Sequence, residues 1–384
     1  MDPLLTWARR NQPALITQIR EFVECESPTD SPVDVKWFMD LLIESVSGIA
    51  TTELTDTCAL ICRFKLPALP KRGPRRKRGR ILALGHADTV WPIGTLGSMP
   101  FRRAKGRLCG PGVLDMKAGL AFFIHAMRAL IELDIPVAHD VVLLVNPDEE
   151  TGSHASRAGT EALAKESHAV LVLEPGTGLD GRVKTARKGI GAWTLKVRGI
   201  AAHAGVDFAK GSSAILELAR QLERIADFTD AKRGITVNPG VVSGGTRSNV
   251  IAAEASAEID IRVPNLADAK ALDRKFRALR PIDKRCTLEL TGGLNRPPME
   301  HNPFLFTLAR GLARELGVAL EESSSGGGSD GNFTAALGIP TLDGLGAVGE
   351  GAHAAHESIL IDRIPDRVAL LAKLTQKIEL SYTS

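Results

Sequence analysis

Ile81-Leu-Ala-Leu-Gly-His86-Ala-Asp88-Thr is the stretch on which the fold turns: four apolar residues run unbroken, then stop at a histidine and an aspartate two positions apart. A short run of this kind fits a strand buried on both faces, as in the sheet of an α/β protein. Residues 141–145 (V-V-L-L-V) and 170–173 (V-L-V-L) repeat the pattern, each ending in a polar cluster, and residues 118–133 have helical spacing. The cadence predicts an α/β domain with a mixed, mainly parallel sheet.

Near Lys188 the pattern changes. Trp193-Thr-Leu-Lys-Val-Arg198 alternates with period two, residues 212–225 have helical spacing, and 235–242 and 255–262 read as strands. A helix at 268–279 and a strand at 286–290 complete the order βαββαβ, which is ferredoxin-like. After Pro297 the first pattern resumes, with helices at 303–316 and 366–378. The expected organisation is a domain of residues 1–187 and 296–384 interrupted by an insert, residues 188–295. The cleft of such a two-domain protein is where a ligand is expected.

Composition narrows the classes of function. The 384 residues are 44% hydrophobic, enough for two buried cores, while aromatics are 4% with a single Tyr, which leaves few rings for stacking single-stranded nucleic acid. The net charge of +3 comes from one stretch: residues 71–80 (K-R-G-P-R-R-K-R-G-R) hold seven basic residues and no acid, and the remainder is net acidic. That run reads as a solvated, Pro-interrupted loop rather than a nucleic-acid or lipid contact. Five scattered cysteines without a C-x-x-C motif read as mostly packed thiols of a reducing compartment. No window approaches 18 uncharged apolar residues, and the first ten residues place an acid before the apolar stretch and arginines after it. Neither a membrane span nor a secretory signal is expected, so the expected location is cytoplasmic.

Each apolar run delivers ionisable groups at its C-terminal end, where open α/β sheets bind ligands. After the first come His86 and Asp88, on one face of extended backbone, so that Asp88 can bond one imidazole nitrogen and aim the other at a metal. Gly110-Pro-Gly-Val-Leu-Asp115-Met-Lys-Ala-Gly places Asp115 on a Gly-rich turn before a helix, and its two oxygens could serve two cations. Asn146-Pro-Asp-Glu149-Glu150-Thr-Gly-Ser sets three consecutive acids at a strand end, which is costly unless cations or hydrogen bonds compensate. Leu173-Glu174-Pro adds another strand-end acid, and Gly351-Ala-His353-Ala-Ala-His356-Glu-Ser supplies late histidines. Singly, such residues are usually helix caps or solvated ends. Together, His86, Asp115, Glu150, Glu174 and His353 form a mixed N/O set suited to two zinc ions or a similar cation, with Glu149 left to move a proton.

These motifs, with Gly199-Ile-Ala-Ala-His203-Ala-Gly in the insert, resemble in order those of the M20 metallopeptidases, and most those of the glutamate carboxypeptidase (carboxypeptidase G-like) group, over nearly the whole chain. The resemblance implies a catalytic domain carrying two Zn2+, replaceable by Co2+ or Mn2+, and an inserted lid through which a homodimer forms. It implies His86 and Glu174 on one metal, Glu150 and His353 on the other, and Asp115 between them. His353 is preferred to His356 because the family's ligand precedes a Glu by about four residues. Glu149 falls on the general base, Asp88 on the residue orienting the first histidine, and His203 on a lid histidine that reaches the partner's site to hold the oxyanion. Asn249 and Arg262 fall on contacts to the substrate's terminal carboxylate, Arg182 and Lys184 add positive charge, and Gly327 lies in a Gly-rich segment that would let backbone approach the substrate. The Asp115–Met116 peptide bond is expected to be cis. One departure is Ala352, where close glutamate carboxypeptidases carry an aromatic residue, which implies a different acyl-side pocket.

The implied activity is hydrolysis of an amide bond beside a free carboxylate in a small molecule or short peptide, releasing a C-terminal glutamate-like amino acid. An aminoacylase or desuccinylase selecting the acyl group is the alternative. A binding protein that had lost catalysis is disfavoured because all five ligand types and the base are present.

Overall fold

The computed structural model describes residues 2–69 and 79–378, so all of the basic run except Gly79 and Arg80 lies outside the described residues. The chain forms two compact units: one of residues up to 186, 301–324 and from 329 on, the other of residues 187–300 with 325–328.

The first unit is built on a six-stranded sheet in the order Ala50–Leu54, Leu60–Phe64, Asp140–Asn146, Arg80–His86, Ala169–Val172, Thr341–Leu342. The last four strands run parallel, and Leu60–Phe64 pairs antiparallel with both of its neighbours, giving the mixed, mainly parallel α/β sheet expected from the sequence. The parallel strands Arg80–His86, Asp140–Asn146 and Ala169–Val172 are apolar between their end residues because both of their faces are covered. On one side lies the helix Ala118–Glu132, with 12 of its 15 residues buried, which makes it an enclosed core helix rather than an amphipathic surface one. Each fully buried Leu or Phe there contributes roughly 1.5–3 kcal/mol. A Cβ at Gly119 would collide with the Leu173 carbonyl oxygen, so glycine lets the start of this helix close on the end of a neighbouring strand.

The strands Ala50–Leu54 and Leu60–Phe64 and the long helices Pro3–Glu24 and Pro32–Ser45 were not read from the sequence. The outer strand is largely exposed, so it shows no alternation to find.

In the second unit the order is Gly189–Arg198, Ala214–Ala226, Thr236–Gly244, Glu254–Val263, Leu266–Arg277, Thr287–Arg296, which is βαββαβ. The antiparallel sheet runs second, third, first, fourth strand. Burial alternates along Gly189–Arg198 and Glu254–Val263, so one face of the sheet carries the helices and a separate core. Trp193 stacks on Phe276 at 5.1 Å and Phe228 meets the same ring edge-on at 5.4 Å. All five cysteines are free, with Cys62 and Cys286 buried and Cys58 exposed; burial pushes the Cys62 thiol up to about 12.

Candidate metal centre

Three neighbouring parallel strands end side by side, and each end releases site residues. Arg80–His86 ends on His86; Asp140–Asn146 leads into Glu149 and Glu150; Ala169–Val172 leads into Glu174. Asp115 comes from the Gly-rich turn before the buried helix, and its bond to Met116 is cis. His353 sits between the short strands Gly349–Glu350 and Ser358–Leu360, with a positive φ of 61°.

The two oxygens of Asp115 point to different histidines. Oδ1 lies 3.3 Å from His86 Nε2 and Oδ2 lies 3.4 Å from His353 Nε2. Glu174 Oε1 is 3.6 Å from His86 Nε2, and Glu150 Oε1 is 3.3 Å from His353 Nε2. One oxygen of Glu149 belongs, with atoms of His86 and Glu174, to a set lying within 4.8 Å of one another, and His86, Asp115 and Glu150 form a second such set. Despite the nearby imidazole, Glu150 Oε1 is buried without a hydrogen-bond partner. Carboxylates and imidazoles crowded this closely, with one buried carboxylate oxygen left without a hydrogen bond, have the donor chemistry of a cation-binding cage. The residues therefore fit divalent metal.

The electrostatics agree. Burial opposes the charged form of His86, but Asp115, Asp88 and Glu174 hold it well above the ordinary imidazole value. Asp115 and Glu150 raise His353 to about 10. Asp115 is held below the usual carboxylate range by His353 and His86 in spite of burial, whereas burial pushes Glu150 up. This acid-rich centre calls for positive charge, and the imidazoles supply it by protonation when no cation does.

Asp88 is fully buried. His86 Nδ1 lies 2.8 Å from its backbone carbonyl and 3.4 Å from its Oδ1, so the ring is held more closely by the carbonyl than by the carboxylate anticipated from sequence. The carboxylate mainly accepts backbone N–H bonds from Glu149 (3.2 Å) and Glu150 (3.1 Å) and the Thr29 hydroxyl (2.8 Å). It thereby fixes the turn that presents both glutamates. Asp330, a residue not singled out from sequence, accepts from Asn146 Nδ2 at 2.6 Å and from Ser153 Oγ, bracketing the same turn.

The remaining candidates lie elsewhere. His356 is exposed and makes no ion pair with these acids among the described residues. Arg182 lies in the first unit, half-exposed, with Nε 3.1 Å from Asp180 Oδ2; Lys184 is buried. His203, Asn249, Arg262 and Gly327 are all in the second unit. His203 and Asn249 are exposed on adjacent segments, joined by the Ala204 N–H donating to the Asn249 carbonyl at 3.0 Å. Arg262 turns Nε and Nη2 onto Asp260, both at 2.9 Å. Gly327 is exposed, and its carbonyl accepts from Arg187 at 3.1 Å.

Parallel strand ends that supply His86, Glu149, Glu150 and Glu174, joined by Asp115 from the Gly-rich turn and His353 from a separate loop, gather two imidazoles and four carboxylates, the donor set of a metal-dependent hydrolase. Residues 82–377 match the family described as peptidase family M20/M25/M40, and the chain belongs to that family. It is an enzyme of the metallopeptidase and amidohydrolase type, whose members bind divalent metals. It is 28% identical to carboxypeptidase G2 of Pseudomonas sp. (strain RS-16) over 382 residues, covering 96% of this chain and 90% of that protein. It is 29% identical to a succinyl-diaminopimelate desuccinylase of Paracoccus denitrificans over 368 residues, covering 88% and 91%. An M20 family metallo-carboxypeptidase from Sulfolobus solfataricus shares the fold with a TM-score of 0.73 at 17% identity, over 94% of this chain and 98% of that one. Among the described residues no helix is long and apolar enough to cross a membrane.

Proposed function

We propose that the protein is a dizinc carboxypeptidase that cleaves the amide bond next to a free carboxylate and releases a C-terminal glutamate-like amino acid. The observation that carries this reading is Asp115 turning one oxygen toward each of two histidines, each with its own glutamate partner. His86 and Glu174 would hold one ion, Glu150 and His353 the other, and Asp115 would serve both. Divalent ions held there would supply Lewis-acid polarisation of the scissile carbonyl and a water made acidic at neutral pH. Glu149 accepts the proton of the attacking water and returns it to the leaving amine. Asp88 holds the backbone of Glu149 and Glu150 so that the base keeps its place beside the ion-binding pair. His203 of a second copy, in a homodimer formed through the βαββαβ unit, stabilises the oxyanion. Arg262 and Asn249 receive the substrate carboxylate, Arg182 adds positive charge, and Gly327 lets the protein backbone approach the substrate.

The likeness to a desuccinylase over most of both chains supports a second reading, in which the acyl group is selected instead. A panel of N-acyl-glutamates, N-acyl-lysines, dipeptides and succinyl-diamines offered to the zinc-loaded protein separates the two. The first reading expects activity to follow the free α-carboxylate and the glutamate side chain. Activity that follows the succinyl group whatever the amine would replace it with the second.

A further inference from the structure

Glu357 is fully buried, lies four residues beyond His353, and has no part in the scheme above. Its carboxylate is saturated by four donors. Oε1 accepts the N–H groups of Leu114 at 2.8 Å and Asp115 at 3.1 Å; Oε2 accepts the N–H of Gly112 at 2.9 Å and the indole N–H of Trp91 at 2.8 Å. An ionised carboxylate has about four lone-pair sites, so every one is used.

Local structure explains how the side chain arrives there. The strand Ser358–Leu360 pairs antiparallel with Arg107–Cys109, Ser358 opposite Cys109, so Glu357 lies beside Gly110 as the chain enters the Gly-rich turn. The turn exposes consecutive N–H groups, and Glu357 is the acceptor that meets them. Trp91 lies five residues beyond His86 in the chain, so a single carboxylate ties together the segments carrying His86, Asp115 and His353.

We propose that Glu357 is a positioning residue for the metal centre, fixing Asp115 relative to His353 by gripping the backbone of the Asp115 turn from within the His353 loop. The inference rests on the dimetal reading of the site. It predicts that disturbing the grip weakens the ion shared by Asp115 and His353 more than it weakens the fold. Glu357→Gln is the informative change, because whichever way the amide is turned, two of the four donors face an NH2 group instead of an oxygen.

The test is cobalt(II) titration, read by visible absorption and by competition with a chelator, on the unsubstituted chain, Glu357→Gln and Trp91→Phe, with urea midpoints measured alongside. The unsubstituted chain should take up two equivalents. Glu357→Gln should bind one of them about 10–100-fold more weakly with an altered spectrum, the range usual for partners that orient ligands, and Trp91→Phe, which leaves three donors, should lose less. Two equivalents bound by Glu357→Gln as tightly as before, with an unchanged spectrum, would overturn the proposal and leave the dimetal reading standing. Failure of the unsubstituted chain to bind cobalt would overturn both. Hydrogen exchange on the unsubstituted chain needs no variant: the amides of Gly112, Leu114 and Asp115 should be protected without metal, and exchange at open-loop rates would contradict the grip.

Discussion

The two units present their candidate residues in opposite ways. In the first, the donors are drawn from five separate segments, are buried or half-buried except for the exposed His353, and leave Glu150 Oε1 unsatisfied. There Asp88 and Glu357 each turn both carboxylate oxygens to backbone N–H groups, with the Thr29 hydroxyl and the Trp91 indole as further donors. In the second, His203 and Asn249 are exposed and Arg262 is already occupied by Asp260. A chemical step that needs fixed geometry is served by the first arrangement, because each side chain is held before substrate arrives. Residues of the second kind suit contacts made only when a ligand is bound.

That contrast is open to test, and the largest effect is expected at Glu149. Glu149→Gln should lower kcat by about 10²–10⁴-fold, the usual worth of a general base, with metal content by elemental analysis unchanged. Near-normal turnover would remove Glu149 from the role of base.

A second change asks whether the second unit stands on its own core. Phe276→Ala, which removes the ring between Trp193 and Phe228, should cost about 3–5 kcal/mol of that unit's stability by denaturant unfolding. Metal binding by the first unit should persist. Loss of both together would show that the units do not behave separately.

Arg262→Ala measures how much of the second unit's contribution is substrate contact. If its guanidinium receives a carboxylate, KM should rise about 10–100-fold for substrates with a free carboxylate and far less for their amide-capped counterparts, as expected for losing a charged hydrogen bond. An equal rise for both would reduce Arg262 to a partner of Asp260 and the Gly326 carbonyl.

The smallest effect concerns His125, buried in the first unit 3.1 Å from Arg128 Nη1, where burial and that cation lower its pKa to about 3. The unfolded chain binds a proton near the ordinary value of 6.5 that the folded chain refuses, so stability falls as the pH drops from 6.5 toward about 3. His125→Phe should flatten the dependence of the urea midpoint on pH over that window; an unchanged slope would show that the imidazole is not shielded.

The same contrast explains what the sequence disclosed. Three of the four parallel strands were legible because burial on both faces makes them unbroken apolar runs, and His86, Glu149, Glu150 and Glu174 were legible because they stand at the ends of those runs. The two-residue strand Thr341–Leu342 is too short to show a run, and Asp115 and His353 were found only from their motifs. The edge strand Ala50–Leu54 was not legible, since an exposed strand has no apolar period. Glu357 and Asp330 were missed because their partners are backbone amides and side chains distant in the chain, a relation that side-chain spacing does not record. Glu357 left a faint trace, as the acid following the late histidines. His203 and Asn249, exposed in the second unit, came from family resemblance alone, and their geometry gives them no comparable support.

The most direct measurement is anomalous diffraction at the zinc edge from crystals grown with zinc. Two peaks are predicted, one beside His86 and Glu174 and the other beside His353 and Glu150, with Asp115 reaching both. A single peak, or none among these five side chains, would contradict the dimetal centre.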